Sequence, residues 1–307
     1  MKRLTEGRRM FISIMLVFAA YAIVFILFED YDRRFIQSFD EASDWHLLLF
    51  SIVVMAGLGW LLHGYAQRMD ERIGREQQEK HNQMRRELTQ NIAHELKTPV
   101  SSILGYTDTI LDSPQMDEPT KHKFIERTNA QARRLSALLT DIATLNKMDD
   151  APHLLEHDRV DVSALVMDIA QESEPALRGK QMRLKNCLPT DIRIKGDAKL
   201  IYGIFRNLTD NAINYAGTGT TIEISAEHRA GRWQFCFKDN GTGVSAEHLP
   251  RLFERFYRID RGRSRQMGGT GLGLAIVKNA VQLHGGTITA SQAAGGGLQF
   301  DFSLPAC

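Results

Sequence analysis

Two stretches near the amino end of the chain carry no formal charge: Met10 to Phe28, 19 residues, and Trp45 to Ala66, 22 residues free of Asp, Glu, Lys and Arg. At ~1.5 Å per residue the first is about 28 Å long as a helix, the depth of a hydrocarbon core, and the second is longer. Trp45, Trp60 and Tyr65 fall towards the interfacial depths of the second run. After Ala66 the composition turns to Arg, Gln and Glu through Glu87, with strong helix propensity and no proline before Pro99. The second run is therefore expected to continue as helix. In that helix Met84, Leu88, Ile92 and Leu96 recur every fourth residue, and Val100, Ile103 and Leu104 resume the stripe. A second periodic segment, Phe124 to Met148, sets Leu135, Leu138, Leu139, Ile142 and Leu145 on one face, with turn residues from Asp112 to Pro119 before it. The two helices make a hairpin whose apolar face is too wide for one partner, which predicts pairing with a second copy into a four-helix bundle.

From Val160 onward helical and alternating patterns interleave. Helices are predicted from about Val162 to Leu177, Asp197 to Tyr215 and Leu272 to Leu283, and strands near Thr221–Glu227, Arg232–Lys238, Gly286–Ser291 and Leu298–Leu304. Such a pattern over about 150 residues predicts one α/β sandwich domain.

Lys and Arg are dense before the first uncharged run (Lys2, Arg3, Arg8, Arg9) and after the second (Arg68, Arg72, Arg75, Lys80, Arg85, Arg86), against Arg33 and Arg34 between them. That bias places both termini on the cytoplasmic side. A cleaved signal peptide is the competing reading of the first run, but the run exceeds a usual hydrophobic region and no small-residue cleavage site follows Phe28. The intervening loop, Glu29 to Asp44, is 16 residues, too short for a sensor domain. Six carboxylates against two arginines give it a formal charge of -4; it either attracts cations or simply reflects where acidic residues are tolerated. His46 and His63, near the ends of the second run, face the headgroup layer or take part in sensing.

Net charge is +1, with 38 Lys+Arg against 37 Asp+Glu, so nothing argues for nucleic-acid binding. Cys187, Cys236 and Cys307 are far apart and lack metal spacing, and read as reduced, inert thiols. Five groups carry chemistry. Asn91-Ile-Ala-His-Glu-Leu-Lys-Thr-Pro-Val100 places Glu95 beside His94 and Thr98 one turn on, next to a proline. An imidazole with a carboxylate to orient it is a plausible nucleophile, where a lone helical histidine is usually a surface residue. Asn207 and Asn211 lie four apart on one helix face, where carboxamide oxygens suit Mg²⁺. Asp239-Asn-Gly-Thr-Gly243 follows a strand, with a carboxylate to accept from an exocyclic amine and Gly241 and Gly243 to permit close approach. Leu252-Phe-Glu-Arg-Phe-Tyr-Arg258 is aromatic and basic, suited to a mobile lid. Gly268-Gly-Thr-Gly-Leu-Gly-Leu274 opens a helix, so its free N–H groups and the helix dipole face an anion.

Singly these are weak signals; in this order and spacing they resemble bacterial sensor histidine kinases. The His94 segment resembles their phospho-acceptor motif, and the four later clusters resemble the N, G1, F and G2 boxes of their ATP-binding domain, the Bergerat fold shared with gyrase and MutL. The resemblance covers His94 to Leu304. It implies that His94 is phosphorylated, that Glu95 orients it or takes its proton, and that Thr98 positions water for dephosphorylation of a partner. It further implies Mg²⁺ on Asn211 and Asn207, adenine read by Asp239 and flanked by Tyr215, and ATP shaped by Gly241, Gly243, Gly269, Thr270, Gly271, Leu272 and Gly273. Many relatives carry a basic residue where this chain has Asn214, which leaves Arg255 or Arg258 to grip phosphate. No roughly fifty-residue relay domain fits between Ala66 and His94, and no receiver domain follows Cys307, so the expected acceptor is the aspartate of a separate response regulator.

The expected organisation is a cytoplasmic segment 1–9, spans at 10–28 and 45–66 around an acidic loop 29–44, a signalling helix and phospho-acceptor hairpin over 67–150, and an ATP-binding domain over 155–307. This describes a homodimeric, multi-pass protein of the bacterial inner membrane that uses ATP and Mg²⁺. The alternatives are a non-catalytic membrane scaffold with a degenerate ATP fold and an ATP-gated conformational machine.

Overall fold

The computed structural model describes residues 42–150, 158–259 and 269–307. Contacts divide the chain into two compact units, Met1–Glu87 and Leu88–Cys307. What is described of the first is helical: it is the leading part of α1 (Ala42–Asp112), whose residues from Leu88 onward belong to the second unit. Ile52, Val53, Leu58, Trp60, Leu61 and Tyr65 are all exposed on it. Among the described residues no helix is long and apolar enough to cross a membrane. The run Met10–Phe28 and residues 29–41 of the acidic loop lie outside those residues, and the run from Trp45 has its side chains described only from Ser51.

In the second unit α1 turns through Ser113–Asp117 into α2 (Glu118–Asp150), with Asp117 accepting from the Thr120 N–H at 3.1 Å as its cap. This is the expected hairpin, and Tyr106 and Phe124 touch across it at 5.8 Å. On α2 Leu138, Leu145 and Met148, spaced seven and three apart, are buried in one continuous core with the domain that follows.

That domain runs β1 (Asp158–Asp161), α3 (Val162–Gly179), β2 (Arg183–Cys187), β3 (Arg193–Gly196), α4 (Ala198–Tyr215), β4 (Thr221–Arg229), β5 (Arg232–Asp239), α5 (Gly273–Leu283), β6 (Ile288–Gln292) and β7 (Leu298–Pro305). Its main sheet has the order β2-β4-β5-β7-β6, antiparallel except for the β2–β4 pair, and β1 and β3 form a separate ribbon. The sandwich is as expected, but β1, β2 and β3 were not legible as strands. β2 reads Arg-Leu-Lys-Asn-Cys and β1 and β3 span four residues each, too short and too polar for a period to emerge.

Helices α3, α4 and α5 pack side by side against the sheet. Asp197 caps α4, accepting from Lys199 N and Leu200 N, and the helix buries Leu200, Ile201, Ile204, Phe205, Leu208, Ala212 and Ile213 at helical spacing. Phe205 meets Phe235 at 5.4 Å and Phe302 at 5.6 Å, edge-on, so aromatic contact fixes α4 on β5 and β7. With that stripe pinned, the face carrying Asn207, Asn211 and Asn214 is turned to the side of the sheet where β5 ends.

Candidate functional site

A cavity of about 330 Å³ opens between α4, the end of β5 and the start of α5. Asn207, Asn211, Asn214, Tyr215, Asp239, Gly243, Arg258, Gly269, Thr270, Gly271 and Gly273 line it, which gathers most of the residues singled out from sequence. Alternation along β5 buries Phe235, Phe237 and Asp239 on one face, so the same period that builds the core delivers a carboxylate to its edge. The Asp239 carboxylate accepts from Gly241 N at 2.9 Å and Leu298 N at 3.4 Å. Burial nevertheless raises its pKa above the ordinary carboxylate range, with those two N–H groups opposing the rise. A buried acceptor at a pocket wall is suited to a ligand N–H.

Glycines surround this carboxylate because side chains do not fit. A Cβ at Gly297 would strike the Asp239 carbonyl, and Gly297 sits at φ +92°. One at Gly241 would strike Ala216 O, and one at Gly273 would meet Asn207 Oδ1 at 2.7 Å. The Gly295-Gly-Gly297 turn was not expected in the site; the run of three glycines before β7 was its visible signal.

On α4 the Asn207 Nδ2 donates to Gly203 O at 2.8 Å, which leaves Oδ1 directed at the glycine loop. Asn211 lines the same wall, and Asp210 beside it is a further pocket carboxylate, its pKa raised by burial and held back by the Arg206 guanidinium 3.0 Å away. Among the described residues no group of three His, Cys, Asp or Glu could hold a metal. Two carboxamide oxygens and one carboxylate suit a hard cation that completes its shell with phosphate and water.

The structure places three of the residues marked from sequence, Arg255, Gly241 and Leu272, off the pocket lining. Arg255 is not at the phosphate loop: one of its terminal nitrogens donates to both carboxylate oxygens of Asp149 on α2, at 2.8 and 2.9 Å. Gly241 and Leu272 support the wall without lining it, Leu272 being fully buried under α5. Tyr257, which joins the lining and bonds His248 at 2.7 Å, entered the sequence reading only as part of the Leu252–Arg258 segment, and Leu298 was not marked.

His94 is exposed on α1 and lines a separate groove with Lys97, Thr98, Ser101 and Ser102. The Thr98 hydroxyl donates back to His94 O at 3.3 Å. Glu95 points the other way: only 13% exposed, it pairs with Arg134 of α2 at 3.4 Å and with Arg258 at 3.1 Å. Thr270 of the glycine loop donates to Asp141 of α2 at 2.7 Å, and burial raises the pKa of that carboxyl. The hairpin partners Arg134, Asp141 and Asp149 carried no motif that would have marked them.

Residues 84–151 match the His Kinase A (phospho-acceptor) domain, and residues 196–307 match the histidine kinase-, DNA gyrase B- and HSP90-like ATPase family. The sensor-like histidine kinase SenX3 of Mycolicibacterium smegmatis is 36% identical over 221 residues, covering 72% of this chain and 57% of that protein. The phosphate regulon sensor protein PhoR of Pseudomonas aeruginosa is 33% identical over 225 residues, covering 71% and 49%. The chain thus spans about half the length of the curated relatives it matches. Among solved structures, Acinetobacter baumannii histidine kinase AdeS superposes with a TM-score of 0.58 at 27% identity, over 69% of this chain and 98% of that one. Histidine kinase ThkA, solved in complex with response regulator protein TrrA, shares the fold with a TM-score of 0.57 at 23% identity, over 72% of this chain and 61% of that one.

Proposed function

The chain belongs to the two-component sensor histidine kinases, and we propose that it moves the γ-phosphoryl group of ATP first to His94 and then to an aspartate of a separate response regulator. The observation that carries this reading is the joint presence, in one compact unit, of an exposed helical histidine and a pocket built from Asp239, an asparagine face and a glycine loop at a helix start. Asp239 accepts from the adenine amino group, Tyr215 flanks the ring, and the N–H groups ahead of α5 meet the phosphates. Asn211 and Asn207 would hold Mg²⁺, which would supply positive charge to offset that of the phosphates. A His94 ring nitrogen attacks the γ-phosphorus, a P–N bond forms as the bond to the bridging oxygen breaks, and ADP leaves. Glu95, the next residue on α1, takes the imidazole proton once its carboxylate is released from Arg258.

The same groove supports the reverse function. Thr98 shares it with His94, one helical turn away, where a hydroxyl can orient water towards an acyl phosphate docked at the imidazole. Heptad spacing of the exposed Val100, Leu104 and Leu111 on α1, and of Ile125 and Leu139 on α2, supports a dimer that buries both stripes in a four-helix bundle. The two uncharged runs and the Lys/Arg bias support placement in a bacterial inner membrane with both termini cytoplasmic.

Incubation of the full chain with γ-labelled ATP should give acid-labile, base-stable label, and His94→Gln should abolish it while leaving ATP affinity within about twofold. Label that persists on the variant removes His94 from the chemistry. ATP turnover with no label at all would favour a conformational machine.

A further inference from the structure

Arg258 is the one side chain that touches both the nucleotide pocket and the neighbourhood of His94 among the described contacts. Its guanidinium is 5% exposed, and one terminal nitrogen donates both to Glu95 Oε2 at 3.1 Å and to Gly269 O at 2.8 Å. Its Nε is buried without a hydrogen-bond partner and stands 3.1 Å from where a Cβ of Gly271 would lie, directly over the glycine loop. A guanidinium presents its donors in a fixed planar fork that matches phosphate oxygens two at a time. The orphaned Nε, over the glycine loop, supplies one tine of that fork. The other tine is already committed to a carboxylate.

We infer that Arg258 is a positioning residue shared between Glu95 and the nucleotide, so that phosphate in the pocket draws the guanidinium off Glu95 and frees that carboxylate for His94. The inference rests on reading the pocket as an ATP site and adds to it a route by which occupancy governs the proton acceptor.

The docked geometry supports an exchange. Arg255 with Asp149, Thr270 with Asp141, and the buried Leu138, Leu145 and Met148 hold the pocket rim against the hairpin, so Arg258 moves by a rotamer change rather than by domain travel. Arg134 remains beside Glu95 at 3.4 Å and keeps the released carboxylate from being left buried without a counter-charge. His94 meanwhile lines a groove to which no described residue of the ATPase domain contributes. Freeing Glu95 is therefore a separate event from bringing nucleotide to His94.

Competition for one guanidinium has a thermodynamic signature that does not depend on phosphoryl transfer. If Glu95 and phosphate compete, weakening the Glu95 contact must tighten nucleotide binding. Glu95→Gln is isosteric and removes the charge. In the full-length chain in detergent it should bind a non-hydrolysable ATP analogue about three- to tenfold more tightly by calorimetry, although it has lost the proposed proton acceptor. In an Arg258→Ala background the same substitution should change affinity by less than about 1.5-fold, and the non-additivity isolates the coupling. Unchanged or weaker binding by Glu95→Gln, with an unaltered thermal transition as the folding control, overturns the inference. So does an equal gain in the Arg258→Ala background. The kinase reading fails separately, through absence of phosphohistidine in the wild type, and the binding cycle decides the exchange in that case as well.

Discussion

Asp239 shows how one residue serves both the fold and the site at a cost to the former. Burial raises its pKa, so the folded state holds the proton more tightly than the unfolded chain does. The sign follows: the contribution to stability is present at low pH and is lost as pH rises from the unfolded carboxylate range of ~4 through the raised value. Asp141 and Asp210, also raised by burial, act in the same direction. Asp239→Asn keeps an acceptor for the Gly241 N–H but carries no charge to bury. It should raise the melting temperature at pH 7 by about 2–4 °C while weakening ATP binding by about tenfold, since a charge-assisted bond to the adenine amine is lost. Calorimetry of unfolding and of binding checks both halves, and a lower melting temperature would mean that the two N–H bonds outweigh burial. Cys236 tells the opposite story: burial and the nearby Asp301 push its thiol up to about 11, which keeps it inert, as its isolation in the sequence suggested.

At the scale of elements, the site is made where three of them meet. β5 ends at Asp239, α4 presents its asparagine face, and α5 starts from the glycine loop. Their junction is tight enough that the glycines differ in what they do. Gly297, at φ +92°, is packed on the Asp239 carbonyl, whereas Gly295, at φ +95°, faces open space. Ala at Gly295 meets backbone strain alone, about 1–3 kcal/mol. Ala at Gly297 meets the same strain and must displace Asp239. Gly297→Ala should therefore lose ATP binding beyond detection while Gly295→Ala retains it within about threefold, with denaturant melts recording the shared loss of stability. Equal binding by both variants would mean that the Gly297 contact does not hold the carboxylate in place.

The whole molecule sets two apolar surfaces on the hairpin to different uses. Leu138, Leu145 and Met148 are consumed by the ATPase domain, whereas Leu104, Leu111 and Leu139 stay exposed, Leu111 at 74%. A stripe of that kind is retained on a helix surface when a second copy covers it. Because Leu111 makes little contact within one chain, Leu111→Arg should leave folding intact and shift the protein from dimer to monomer in sedimentation equilibrium. Leu104→Arg should do the same. A dimer that survives both would move the pairing surface elsewhere.

The sequence alone determined the hairpin, the helices of the ATPase domain and nearly all of the pocket, because each rests on a local signal. Fourfold and sevenfold apolar spacing marks α1 and α2, and asparagines four apart or glycines ahead of a helix keep their meaning wherever the chain goes. The short polar strands β1, β2 and β3 escaped because their pairing depends on partners distant in sequence, such as Arg183 with Thr221. Asp239 was read as an adenine contact, but its burial required β7 and the Gly295–Gly297 turn to close over it. Only the tertiary structure decided where the arginines go. Arg255 and Arg258 stand three apart in one motif, yet one faces Asp149 and the other joins Glu95 to the pocket. Their partners lie 106 and 163 residues away, and nothing local to either end records which carboxylate a long, flexible cation meets once the domains have packed.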